Sequence, residues 1–205
     1  MKKASLVFLT FLALSCGKEE HDLIVKASIK GLKKGTVYLK KAQDTTLVTV
    51  DSVVVNGNSQ FELYSNIESP EVFYLYLDKN SAENDRIVFF ADKGVTEIQT
   101  TLKNFVFDAE IKGSEQQKVL ENYQLLISRI NNRNLDLLKE SFEAQKNGDS
   151  LALANYEKTQ NNLIKSKYLQ TVNFAINNSD SEVAPYLALT EIYNARIGSS
   201  KKVVE

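Results

Sequence analysis

The chain has 205 residues, with 25 lysines and arginines against 26 aspartates and glutamates, one histidine and one cysteine, for a formal net charge of −1. That balance lacks the basic excess of a nucleic-acid-binding face, so no nucleic-acid partner is expected. One cysteine permits neither an internal disulfide nor a Cys-x-x-Cys pair within these residues. One histidine, His21, leaves no histidine-based zinc site and no Ser-His-Asp or Cys-His nucleophile.

In chain order, Lys2-Lys3 precede an apolar stretch from Ala4 to Leu14, followed by Ser15-Cys16. This is the order of an export signal: a basic start, a short apolar run and a small residue before the cut. Eleven residues at about 1.5 Å each fall short of a hydrocarbon core of about 30 Å, so the segment is expected to be removed rather than to anchor the protein. Residues 1–15 are therefore assigned as signal peptide, residues 16–22 as a tether, 23–113 as a β domain and 114–205 as a helical region. Loss of residues 1–15 removes two lysines and no acids, taking the formal charge to −3. His21 is expected to be a solvated tether residue.

From Leu23 to Lys112 the apolar residues recur mostly with period two. Strands are predicted at Leu23 to Lys30, Thr36 to Lys41, Leu47 to Val55, Gln60 to Ser65, Glu71 to Asp78, Arg86 to Ala91, Val95 to Leu102 and Phe105 to Lys112. Asn56-Gly57, Asp92-Lys93-Gly94 and Lys103-Asn104 have the chemistry of tight turns. Eight short strands at this spacing predict an antiparallel sandwich or barrel. Val72 to Leu77 and Ile87 to Ala91 are apolar on both faces, so something is expected to cover the sheet from outside.

The cover begins at Ser114, which with Gln117 forms a capping-box signature ahead of Val119, Tyr123, Leu126, Ile130 and Leu137, spaced along one helical face. Gly148 has the place of a helix-ending glycine. Asp149 or Ser150 then caps a second helix carrying Leu153, Tyr156, Leu163, Ile164, Tyr168, Val172 and Ile176. The two helices are predicted to pair as an antiparallel hairpin. A third segment, Glu182 to Ile197, accepts Pro185 in its first turn. The fold class is thus α+β: an N-terminal antiparallel β-sandwich or barrel, then a helical hairpin plus a third helix.

Few residues invite chemistry. Asp78 to Asp85 clusters acids and amides on one loop, but Glu83 stands where a calcium loop needs glycine. Asp44, Asp51, Glu62 and Glu71 are strand acids whose spacing selects no catalytic pair. Asn177-Asn178-Ser179 reads as a helix end. Tyr74 and Tyr76 suit either an aromatic binding face or, as favoured here, the side on which the helices pack. No catalytic, cofactor-binding or metal residue is assigned, and no cofactor is expected.

Three resemblances bear on context. Leu12-Ala13-Leu14-Ser15-Cys16 resembles the bacterial lipobox, which implies lipid attachment at Cys16; two or three acyl chains, at about 0.8 kcal/mol per buried methylene, hold a domain on a membrane. Lys18-Glu19-Glu20 resembles the signal that sends lipoproteins to the outer face of the outer membrane in Bacteroidetes-type bacteria. The stretches Gly31 to Leu39, Asp51 to Gly57 with Phe61, and Ile111 to Ser114 resemble the uncharacterised N-terminal domain that precedes thioredoxin-like domains in lipoprotein thiol-disulfide oxidoreductases of those bacteria. That similarity runs from residue 23 to about residue 197, including Glu182 to Tyr186. In such relatives the Cys-x-x-Cys lies downstream, so no catalytic residue carries over. Together these imply an outer-membrane lipoprotein, facing the periplasm or the cell exterior, that acts as a non-catalytic binding or scaffolding module for a protein or small-molecule partner. The alternative is the accessory domain of an oxidoreductase whose thioredoxin-like part is absent from this chain.

Overall fold

A computed structural model describes residues 21–78 and 85–192. The period-two segments fold as eight strands: β1 (Leu23–Lys30), β2 (Lys34–Gln43), β3 (Thr46–Asn56), β4 (Gln60–Ser65), β5 (Glu71–Leu77), β6 (Arg86–Ala91), β7 (Gly94–Thr101) and β8 (Glu110–Lys112). They form two four-stranded sheets, ordered β4-β1-β7-β8 and β3-β2-β5-β6. The inward residues of both share one core. Leu23, Val25 and Ile29 of β1, Leu63 of β4 and Ile98 of β7 meet Val37 and Leu39 of β2, Phe73 and Leu75 of β5, and Phe89 of β6. Phe73 and Phe89 stack with ring centres 6.0 Å apart, and both are fully buried. Each such side chain removed from water contributes on the order of 2–3 kcal/mol.

The arrangement is a sandwich and not a closed barrel. It is antiparallel except where β1 pairs with β7, in parallel register from Leu23 opposite Gly94 to Lys30 opposite Thr101. That pair follows from how the chain changes sheets. Asn56-Gly57 and Asp92-Lys93-Gly94, predicted as hairpin turns, instead carry the chain from one sheet to the other, since β3 and β4, and likewise β6 and β7, lie in different sheets. Consecutive strands pair directly as β2–β3, β5–β6 and β7–β8. The tight β2–β3 turn runs through Asp44, which takes φ 53, and a bulge falls between Leu39 and Lys40. The eighth predicted strand is shortened to Glu110–Lys112. Residues ahead of it turn back so that Phe105 plugs the core, held by the Thr100 hydroxyl donating to its carbonyl at 2.7 Å. Thr101 Oγ1 closes the same turn by donating to Asp108 at 2.7 Å.

Helix α1 (Glu115–Asn147) starts on Ser114, whose hydroxyl accepts from Gln117 N at 3.0 Å. It ends on Gly148 at φ 68. Asp149 caps α2 (Ser150–Asn177) by accepting from Ala152 N at 2.9 Å. Asn178 closes α2, its side-chain amide donating to Phe174 O at 2.8 Å, which agrees with the helix end read at Asn177-Asn178-Ser179. α3 (Val183–Leu187) follows, with Pro185 in its only full turn, and continues as a π-helical turn over Ala188–Ile192. The remainder of the predicted third helix lies outside the described residues.

The cover over the sheet is real but local. Phe90, on the outer face of β6, joins Leu120, Tyr123 and Ile127 of α1 and Val183 and Leu187 of α3 in a second core. The buried stripe of α1 is therefore Leu120, Tyr123 and Ile127, rotated from the predicted Val119 and Leu126, and Leu126 is exposed. Farther along, Leu137, Ser141 and Ala144 face α2, whose predicted stripe is mostly half-buried and at Ile164 and Ile176 exposed.

Candidate functional site

The outer face of the β3-β2-β5-β6 sheet is built by strand alternation. Val37, Leu39, Phe73, Leu75 and Leu77 point into the core, so Tyr38 and Lys40 of β2 and Tyr74 and Tyr76 of β5 point out. Register then sets their neighbours. Ser52, Tyr38, Tyr76 and Arg86 form one row across four strands, and Thr49, Lys40, Tyr74 and Val88 form the next. The third row, with Val72 opposite Phe90, runs beneath the helices. Tyr74 and Tyr76 thus remain half-buried at the margin of the cover rather than beneath it.

Cations lie over these rings. Lys40 Nζ is 4.6 Å from the ring centre of Tyr76 and 5.8 Å from that of Tyr38. The Arg86 guanidinium is 4.9 Å from the Tyr74 ring and 5.9 Å from the Tyr76 ring, and its Nη1 donates to Tyr76 Oη at 2.8 Å. Such contacts contribute about 0.5–1 kcal/mol at exposed sites and orient the cation. Tyr186 of α3 closes the helical margin, its ring meeting Phe90 edge-on at 5.3 Å. Burial raises the Tyr186 hydroxyl above the usual phenol range, with the neighbouring Tyr74 adding to the effect. It stays a neutral donor at physiological pH.

Other residues singled out in the sequence are held apart or in structural roles. Cys16, Lys18, Glu19 and Glu20 lie outside the described residues. His21 is not a freely solvated tether residue: its ring lies 5.0 Å from that of Tyr64. Asp51 Oδ2 accepts from Tyr64 N at 2.7 Å, joining the edge of one sheet to the other. Glu62 accepts from Tyr64 Oη at 2.6 Å and lies 3.7 Å from Lys26. The hydrogen bond to Glu62 holds the Tyr64 hydroxyl above its usual range. Glu71 pairs with Lys41 at 3.0 Å, and Asp44 occupies the β2–β3 turn. Asp78 accepts from Thr36 N at 2.9 Å, at the end of the central β2–β5 pair; residues 79–84 of the acidic loop are outside the described residues. Among the described residues no cluster of three or more His, Cys, Asp or Glu can hold a metal ion, and no helix is long and apolar enough to cross a membrane. A groove of about 450 Å³ runs over the opposite sheet beside Lys26, Gln60, Glu62 and Gln99, where Lys26 and Glu62 already answer each other.

Tyr38, Lys40 and Arg86 escape a reading by segments because their significance is in cross-strand register. The retrievable signal is alternation: placing Val37 and Leu39 inward commits Tyr38 and Lys40 to the face shared with Tyr74 and Tyr76.

No curated protein matches the chain. Among solved structures, sea bream transthyretin in complex with thyroxine aligns over 46% of this chain and 97% of its own, at 10% identity and a TM-score of 0.31. Residues 23–120, which take in all eight strands and the first turns of α1, match the family described as Domain of unknown function (DUF4369), so the sandwich corresponds to a domain that is itself uncharacterised.

Proposed function

We propose that this chain is an outer-membrane lipoprotein, held by acyl chains on Cys16 and facing the periplasm or the cell exterior, whose folded part is a non-catalytic binding or scaffolding module. The observation that carries the binding role is the cationic and aromatic face around Lys40, Tyr76 and Arg86, set on a rigid sheet beside a helical wall. Tyrosine and arginine on a preformed surface are the residue types that dominate recognition, because they offer large contact area at small entropic cost. The lipobox-like Leu12 to Cys16 supports the tether, and Lys18-Glu19-Glu20 supports display on the outer face.

A second reading, the accessory domain of a thiol-disulfide oxidoreductase, draws on the resemblance of Gly31 to Leu39 and Asp51 to Gly57 to the domain that precedes thioredoxin-like domains. One measurement separates the two. The intact mass of the native protein, extracted from its host's membranes, should equal residues 16–205 plus acyl chains. A mass without acyl groups would overturn the lipoprotein assignment. An excess of about 100–150 residues, the size of a typical domain, would transfer the case to the oxidoreductase. Added protease should digest the protein on intact cells if it is displayed, and full protection would place it inward.

A further inference from the structure

We propose that the outer face of the β3-β2-β5-β6 sheet binds an acidic polysaccharide, with Lys40 taking a sugar carboxylate and the hydroxyls of Ser52, Tyr38 and Tyr76 following the glycan across the strands. This names the ligand class of the binding face and rests on the binding-module reading.

Lys40 supplies the charge. Its ammonium lies over two tyrosine rings, and no hydrogen bond or ion pair to it is found among the described residues. The rings hold the head from one side and leave the N–H donors on its other side for an acceptor. An anion suits that vacancy better than a neutral group, because a charge-assisted hydrogen bond is roughly twice as strong as a neutral one.

Spacing selects a glycan over an acidic peptide. Ser52, Tyr38 and Tyr76 lie on three adjacent strands in direct register, so their hydroxyl-bearing side chains recur at about 4.8 Å along a line perpendicular to the strands. A pyranose chain repeats its hydroxylated rings at close to that interval. An extended peptide repeats like-facing side chains at about 6.7 Å, out of step with the row. The Tyr38 and Tyr76 rings turn faces toward Lys40, and Tyr76 Oη, which accepts from Arg86 Nη1 at 2.8 Å, keeps its own proton to donate to a ligand. Such a hydroxyl is chemically matched to sugar hydroxyls, since a phenol both donates and accepts.

The test uses the full chain, extracted in detergent, and three probes: polygalacturonate oligomers, the same oligomers with their carboxyls methyl-esterified, and poly-glutamate of equal charge. Polygalacturonate should bind, with the ester and the poly-glutamate at least about tenfold weaker. Lys40→Met, which removes the charge and keeps an unbranched apolar side chain beside the rings, should weaken polygalacturonate about tenfold, the scale of one charge-assisted contact. Tyr38→Phe and Tyr76→Phe should each weaken it a few-fold, with far-UV dichroism and urea midpoints confirming folded variants. Equal binding of poly-glutamate, an unchanged affinity in Lys40→Met, or no binding of polygalacturonate would each overturn the proposal. If polygalacturonate fails while the native mass equals the lipidated chain, the ligand class alone falls. An extra domain in the native mass would instead remove the binding-module reading itself.

Discussion

Tyr123 on α1 and Thr171 on α2 meet at 2.9 Å, Oη to Oγ1, in the buried seam of the helical hairpin. Thr171 donates its single hydroxyl proton to Lys167 O at 2.8 Å, so Tyr123 is the donor of the pair. The Tyr123 ring also packs 5.4 Å from Phe174. The contact fixes the axial register of two helices whose remaining interface is largely half-buried.

Replacing Thr171 by Val strands a buried phenol proton and should cost about 1–3 kcal/mol, the usual penalty for an unsatisfied buried group. Tyr123→Phe leaves Thr171 bonded to Lys167 O and should cost nearer 1 kcal/mol. Urea unfolding of the two variants should show that order, and the reverse would mean that the Tyr123 proton finds another acceptor when Thr171 is replaced.

Burial raises the Tyr123 hydroxyl above the ordinary phenol value of 10.0. A group whose folded pKa is raised stabilises the protein fully below its unfolded pKa, and that stability is lost as pH rises through the folded value. The thermal midpoint should therefore hold steady on approach to pH 10 and fall above it. Tyr123→Phe should flatten that fall, while an unchanged slope would assign it to other tyrosines.

Gln117 shows where local sequence chemistry yields to tertiary structure. A capping box would turn its side chain back to the Ser114 N–H. Instead its Oε1 accepts from Phe90 N at 3.0 Å, on edge strand β6, and its amide donates to Glu121 at 3.0 Å. The helix start is completed by Asp92, whose Oδ2 accepts from Glu115 N at 2.6 Å. Gln117→Ala should thus cost about 1–3 kcal/mol by stranding a buried backbone donor, beyond any effect on the helix itself. Amide exchange at Phe90 should rise more than exchange at Lys118. An equal rise would identify a fraying helix start instead.

The same residues explain what could and could not be read in advance. Strand positions, the Ser114 start, the Gly148 stop and the Asp149 cap were legible because each depends on neighbours within a few residues. The parallel β1–β7 pair was not, because Gly94 lies opposite Leu23 only after the chain has crossed between sheets. On α1 the predicted Tyr123 and Leu137 are buried, but Val119 and Leu120 are equally apolar in sequence, and it is the contact with Phe90 that places Leu120 and Ile127 at the centre of the seam. The candidate face was half visible: Tyr74 and Tyr76 stood out as aromatics, whereas Lys40 and Arg86 gained meaning only from their partners across the strands.

Two glycines with positive φ should respond differently to alanine. Gly113, at φ 105, lies against β7 so closely that an added Cβ would run into the Val95 carbonyl. Gly148, at φ 68, has open space around the same position. Gly148→Ala should cost about 1–2 kcal/mol from the left-handed backbone alone. Gly113→Ala must also displace the β7–β8 edge and should cost clearly more. Similar unfolding midpoints for the two would show that the Gly113 contact relaxes without penalty.

The far half of the helical hairpin should be the least stable described part of the molecule. The sandwich is filled by fully buried residues such as Val25, Leu39, Phe73 and Phe89. Beyond residue 130, α1 buries only Leu137, Ser141 and Ala144, while Leu135 and Phe142 are exposed, and across the turn Leu151 and Ile164 are exposed as well. Free energy of local opening follows buried apolar contact, so amides between residues 135 and 165 should exchange through local fraying, with protection about 10²–10³-fold below that of β1 and β5. Leu137→Ala should lower the protection of this segment by about 2–5 kcal/mol or remove it, whereas Phe142→Gln should change it by less than about 0.5 kcal/mol. Hydrogen exchange measured at two protein concentrations decides the cause of any departure. Protection equal to that of the sandwich and rising with concentration would mean that Leu135, Phe142 and Leu151 are covered by another copy of the chain. High protection independent of concentration would overturn the assignment of these residues as exposed.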